Sequence, residues 1–172
     1  MIENILIIDT ETTGLHPEKG AKLIEVGAVL FNVKYKAVLQ CYSSLLPCDE
    51  NPVEHINHIN VEWTKSPYSI EEIDPILVNL ANNSEAIVAH NAQFDKKFIS
   101  LLKCGIYLLN HRWICTKNNF TWPVPLSRLR LEDICNAMGV PYIDAHRALQ
   151  DCLLLAQCFA KVEDLQNRID RC

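Results

Sequence analysis

The sequence predicts an α/β fold, a mixed β-sheet with helices packed against it. Three observations carry that expectation. A short unbroken apolar run, Ile5 to Ile8, has the composition of a strand buried on both faces of a sheet. Two longer strand-like stretches follow it, parted by a connection of a few residues. Helical-period segments then alternate with one further short strand. At 172 residues, 49% hydrophobic and 22% charged, the chain fits one globular domain spanning residues 1–172.

Each element has its own signal. Leu23 to Phe31 and Ala37 to Leu46 are rich in apolar and β-branched residues, and the Asn32 to Lys36 connection makes them a hairpin. Pro47 to Pro52 is a polar loop. Ile70 to Asn82 reads as a helix with Ser69 available as its cap. Ala86 to Ala89 is a fourth short strand. From Asn91 the pattern turns helical, because Phe94, Phe98, Leu101 and Leu102 recur at i, i+4, i+7 and i+8. Trp122-Pro123-Val124-Pro125 is a loop, since proline supports neither a helix interior nor a central strand. Leu129 to Met138 and Arg147 to Val162 complete the chain as helices, the first ending at Gly139.

Bulk properties exclude several classes. No apolar run approaches the roughly 18 residues that a membrane span needs, and no basic, then apolar, leader precedes the first strand; the expected location is cytoplasmic. The net charge of −5 argues against a protein that holds nucleic acid by overall positive charge. It leaves room for a site that gains positive charge from bound metal. The eight cysteines include no C-x-x-C pair, and several lie in apolar runs, so they read as small hydrophobes and not as zinc ligands or disulfides. His55, His58 and His111 belong to no pattern and read as surface or loop residues.

Three acidic clusters stand out. In Asp9-Thr10-Glu11 the two acids alternate around one residue, so in an extended segment they point the same way, where the buried strand leaves the sheet. Two carboxylates on one face repel each other unless a cation lies between them. His90-Asn91-Ala92-Gln93-Phe94-Asp95 follows the short strand and opens a helix, with Asp95 in its early turns. There His90 reads as structural and Asn91 as a cap. In His146-Arg147-Ala148-Leu149-Gln150-Asp151 the first and last residues are about 500° apart on a helix. His146 therefore fits the loop before the helix, leaning over whatever Asp151 holds. Four carboxylates and one histidine, each beside a strand or helix end, are the inventory of a two-metal phosphoryl-transfer site with a histidine base.

The motifs D-T-E-T-T-G-L, H-N-A-Q-F-D and H-R-A-L-Q-D, in this order, resemble those of the DEDDh 3′→5′ exonucleases, the family of the proofreading epsilon subunit of DNA polymerase III. The resemblance covers roughly residues 4 to 162 and implies a ribonuclease-H-like fold: a mixed five-stranded sheet, its first three strands antiparallel, flanked by helices. It also implies two Mg²⁺ or Mn²⁺ ions. Asp9 would touch both, Glu11 and Asp151 the nucleophile-side ion, and Asp95 the second, with His146 deprotonating the attacking water. Among substrate contacts, Thr12 would meet the terminal nucleotide, Leu15 would wedge against its base and Phe94 would pack on it, stacking that is indifferent to sequence. Asn57 stands where many members carry the His of a His-x-Ile segment, and Ile114-Cys115-Thr116 stands where relatives often have Asp-Thr. The implied partner is nucleic acid with a free 3′ end, preferably single-stranded DNA, with a polymerase or a repair or adaptive-immunity complex as a further partner. Trimming of RNA 3′ ends and a non-catalytic nucleic-acid-binding module are the alternatives. Lys96, Lys97, Arg128, Arg130 and Arg147 could meet phosphates, although Lys96 and Lys97 read equally as an ordinary solvated helix face.

Overall fold

The structure is a computed structural model that describes residues 1–65, 70–143 and 146–172. The expected cap Ser69 lies outside the described residues. The sheet is built from β1 (Asn4–Thr12), β2 (Leu23–Asn32), β3 (Ala37–Leu45), β4 (Ala86–Ala89) and β5 (Trp113–Cys115). Its order is β3-β2-β1-β4-β5. β1 runs antiparallel to β2, and β2 to β3, while β4 lies parallel to both β1 and β5. This is the mixed five-stranded sheet that the motif resemblance implies.

The helices are α1 (Glu54–Asn57), α2 (Ile70–Asn82), α3 (Ala92–Ile99), α4 (Gly105–Leu109), α5 (Leu131–Ala137), α6 (Ala148–Ala160) and α7 (Leu165–Arg171). They cover both faces of the sheet. Ile5, Ile7, Val29, Phe31, Val88 and Ile114 face a core completed by α5, α6 and α7. Leu6, Ile8, Val26, Ala28, Leu30 and Ile87 face a second core, completed by α2, α3 and α4. The period-two alternation of a strand thus divides β1 between two cores. No described helix is long and apolar enough to cross a membrane.

Several boundaries differ from the sequence-based expectation for physical reasons. β1 continues to Thr12 because β2 keeps pairing with it through Asp9↔Gly27 and Glu11↔Glu25, whereas its pairing with β4 ends at Ile7↔Val88. The two acids therefore lie on a paired strand whose other edge has lost its partner. α3 stops at Ile99, so Leu101 is not on its buried face and is 53% exposed. Leu129 to Met138 shortens to seven residues, and the chain leaves α5 through Gly139 at φ 64°. β5, α4 and α7 have no counterpart in the sequence reading; β5 has only three residues, too few to show a period.

α6 packs on β2 at one point with no spare room. A Cβ on Gly27 would lie 2.3 Å from both the Ala148 carbonyl carbon and the Leu149 nitrogen, backbone atoms that cannot swing away. Cys152 adds to this contact, its thiol reaching the Gly27 carbonyl at 3.5 Å. Gly27→Ala is expected to cost about 1–3 kcal/mol, as overpacking of a close contact does. Urea unfolding measures this, and an unchanged midpoint would show that the approach of α6 is not set here.

Candidate active site

The alternation of β1 places Asp9 and Glu11 on the α6 side of the sheet and Thr10 on the α3 side. α6 supplies Asp151 from its first turns. One carboxylate oxygen from each of Asp9, Glu11 and Asp151 lies within 4.8 Å of the others. The third acid arrives through chain folding alone, because Asp151 is distant in sequence from the other two.

Asp95 comes from the opposite face. It is 1% exposed, and Oδ1 accepts a hydrogen bond of 2.8 Å from the Thr10 hydroxyl. Its second oxygen, Oδ2, is buried and has no hydrogen-bond partner among the described residues. α3 begins after Asn91, whose φ of 73° turns the chain out of β4, although its side chain makes no capping bond. Asp95 is thus held at the end of β4, beside the edge of β1 that has lost its partner.

The electrostatics follow from this crowding. Burial first, then the charges of Asp95, Asp151, Glu11 and Glu25, hold Asp9 well above the usual carboxylate range. Glu11 is pushed up to about 8 by burial and by Asp151, Glu25 and Asp95, with the Arg147 guanidinium acting against them. Burial raises Asp95 to about 7 against the lowering effect of the Thr10 hydrogen bond. Burial also raises Asp151, against the pull of His146 beside it. Such a group of acids, with an orphaned buried oxygen next to it, fits hard divalent cations, which take oxygen ligands and remove the repulsion.

His146 lies in the turn before α6, exposed, at φ 67°, with its backbone N–H 3.4 Å from Asp151 Oδ1. The Tyr142 ring meets its imidazole edge to face at 6.5 Å between centroids. Both residues line a cavity of about 550 Å³ together with Asp151, His90, Lys117 and Arg130. His90 accounts for itself structurally: it shares a 2.9 Å hydrogen bond with Thr116, and burial depresses it to about 4, so it is neutral near pH 7.

The four expected substrate contacts divide. Leu15 is 68% exposed on the loop after β1, open to a ligand. Phe94 is half-buried, its ring 5.1 Å from that of Phe98. The Thr12 side chain is turned inward, donating to the Gly14 carbonyl at 2.7 Å. Asn57 corrects the expectation of direct contact. It is 1% exposed; Nδ2 donates to the Thr12 carbonyl, while Oδ1 accepts from Asn51 and from the Ile59 N–H. Asn57 braces the end of β1 at Thr12, with its side chain buried and its polar atoms engaged within the protein.

Arg147 also departs from its expected place among the phosphate contacts. Its Nε and Nη2 lie 2.7–3.2 Å from the carboxylate of Glu25, which is buried in β2. The sequence reading passed over Glu25. The available signal was a lone acid inside the apolar strand L-I-E-V-G-A-V, where a charge persists only with a partner.

Comparison with known proteins agrees with the fold. The family model described as exonuclease matches residues 6–159. DNA polymerase III subunit epsilon of Rickettsia conorii is 30% identical over 171 residues, covering 91% of this chain and 72% of that protein. The PolC-type DNA polymerase III of Thermotoga petrophila is 29% identical over 180 residues, and the match spans only 12% of its length. Among solved structures, Exonuclease X in complex with 5′-overhanging duplex DNA is 26% identical with a TM-score of 0.69, covering 95% of this chain and 91% of that one. The nuclease domain of 3′hExo, a DEDDh family member bound to rAMP, is 17% identical with a TM-score of 0.76, covering 96% of this chain and 93% of its own, and shares the fold.

Proposed function

This chain belongs to the exonuclease family, and from that premise we propose that it removes 5′-mononucleotides from the 3′ end of single-stranded DNA by hydrolysis. The observation that carries the proposal is the joining of Asp9, Glu11 and Asp151 within 4.8 Å, with His146 beside Asp151 and the orphaned Asp95 oxygen nearby. The likeness to DNA polymerase III subunits supports DNA as the substrate and a polymerase as a partner.

Two Mg²⁺ or Mn²⁺ ions, one held by Asp9, Glu11 and Asp151 and one by Asp9 and Asp95, would offset the charge that gathers on the phosphoryl oxygens. The residues do the rest. β1 keeps Asp9 and Glu11 in one orientation, since a strand paired with β2 has little freedom to relax away from the substrate. Thr10 holds Asp95 by one oxygen and leaves the other available. His146, exposed and next to Asp151, accepts the proton of the attacking water as general base. Leu15 wedges against the terminal base and Phe94 packs on the terminal nucleotide, both gripping any base by apolar contact.

The test uses a 5′-labelled single-stranded DNA with Mg²⁺ or Mn²⁺. Shortening from the 3′ end, blocked by a 3′-phosphate and indifferent to a 5′ block, is the expected result, with matched RNA cut more slowly. Equal loss of both blocked substrates would mean endonucleolytic cleavage and would overturn the reading.

A further inference from the structure

Glu25 lies outside all three acidic motifs, yet it is buried and both of its carboxylate oxygens are engaged. Its side chain is 2% exposed. Oε1 and Oε2 receive Arg147 Nε at 3.2 and 3.1 Å, Oε1 receives Arg147 Nη2 at 2.7 Å, and Oε2 receives the Ala148 N–H at 2.9 Å. This one carboxylate thus pairs with a fork-shaped cation and caps a helix. Arg147, in the N-cap position of α6, offers no capping bond of its own, so the first N–H of α6 depends on Glu25.

We propose that Glu25 is a positioning residue for His146, acting through Arg147. The inference rests on the assignment of His146 as general base. His146 immediately precedes Arg147 and holds φ 67°, a left-handed conformation that residues other than glycine rarely adopt. Such a conformation persists only where the surroundings over-determine it. The two-point grip on Arg147 does so: a guanidinium bound through two nitrogens fixes the plane as well as the place of its side chain. A turn of the chain at Arg147 would carry its side chain away from Glu25 and from the Ala148 N–H that Glu25 also holds. The strand register completes the device. Glu25 lies opposite Glu11, and Gly27 opposite Asp9, so the strand that pairs with the acids also anchors the residue after the base.

The test separates this role from plain support of the fold. Glu25→Gln removes the charge but keeps an oxygen that can accept the Ala148 N–H. Arg147→Met removes the fork and leaves both the cap and the Gly27 contact. Either variant should therefore keep α6, and with it Asp151, in place. Steady-state rates on single-stranded DNA are compared for wild type, each variant, His146→Ala, and each variant combined with His146→Ala. The expected loss is about 10–100-fold in kcat, the range of a small misplacement of a reacting group, with KM within about threefold. In the His146→Ala background the same substitutions should slow turnover less than about threefold, because the group they position is already gone. Equal losses in both backgrounds, or wild-type kcat in both Glu25→Gln and Arg147→Met, would overturn the proposal and leave the exonuclease reading intact. A His146→Ala enzyme with wild-type turnover would remove the base assignment, and this proposal with it. If Glu25→Gln fails to fold, the Arg147→Met cycle decides alone.

Discussion

Asp9→Asn is expected to abolish turnover and, without divalent metal, to make the fold more stable. Asp9 faces Asp95, Asp151 and Glu11, and burial together with these charges raises its carboxyl well above the usual range. The amide has the same shape without the charge, so it removes repulsion from the folded state while forfeiting the ligand expected to serve both ions. The sign of the pH dependence follows. A carboxyl whose folded-state value is raised contributes stability that is full below the unfolded carboxylate range and lost as pH rises through the folded value. With Glu11 at about 8 and Asp95 at about 7, that loss runs from about pH 4 to about pH 8. Each such group adds a slope of up to about 1.4 kcal/mol per pH unit. In thermal melts with chelator, the advantage of Asp9→Asn over wild type should therefore widen from pH 5 to pH 8. Added Mn²⁺ should reverse the order by stabilising wild type alone. More than a few per cent of residual activity, or no stability gain at pH 8, would contradict the assignment.

His146→Ala is expected to slow turnover by about 10²–10⁴-fold, the usual cost of losing a general base, while Mn²⁺ affinity measured by calorimetry stays close to wild type. The two effects separate because the imidazole is not among the three residues whose ligand atoms converge, Asp9, Glu11 and Asp151. Hard ions take oxygen ligands, and all four carboxylates remain in the variant. A variant that loses Mn²⁺ as severely as Asp151→Ala would make His146 a ligand and change its role.

Much of the fold was legible where the chain is long and regular. The ten-residue β2 and the thirteen-residue α2 carry enough side chains to display their periods, and both appear within a residue of where composition places them. β5 was not legible, because three residues cannot show a period, and its place is decided by β4, through Ile87↔Trp113 and Ala89↔Cys115. The helix expected from Asn91 lost its last turn for a related reason. Leu101 fits the helical spacing, but Gly105 packs against the chain at Ile99 and Ser100, where an added Cβ would lie 2.5 Å from the Ile99 carbonyl oxygen. That close approach of α4 is invisible in a residue list.

The sequence by itself determined which chemistry this chain carries. The alternation of a strand puts Asp9 and Glu11 on one side, and helical geometry forces His146 into the turn before Asp151; both follow from local stereochemistry. Only the tertiary structure decided how these groups meet and what holds them. Asp95 reaches the site from the opposite face of the sheet, through the Thr10 hydroxyl. Asn57 is drawn beneath the end of β1, where it donates to the Thr12 carbonyl. Arg147 and the first N–H of α6 are claimed by Glu25, more than a hundred residues earlier in the chain. The reason is common to all three: buried polar groups are mostly hydrogen-bonded, and sequence spacing does not reveal which distant group the packing of sheet against helix will bring within reach.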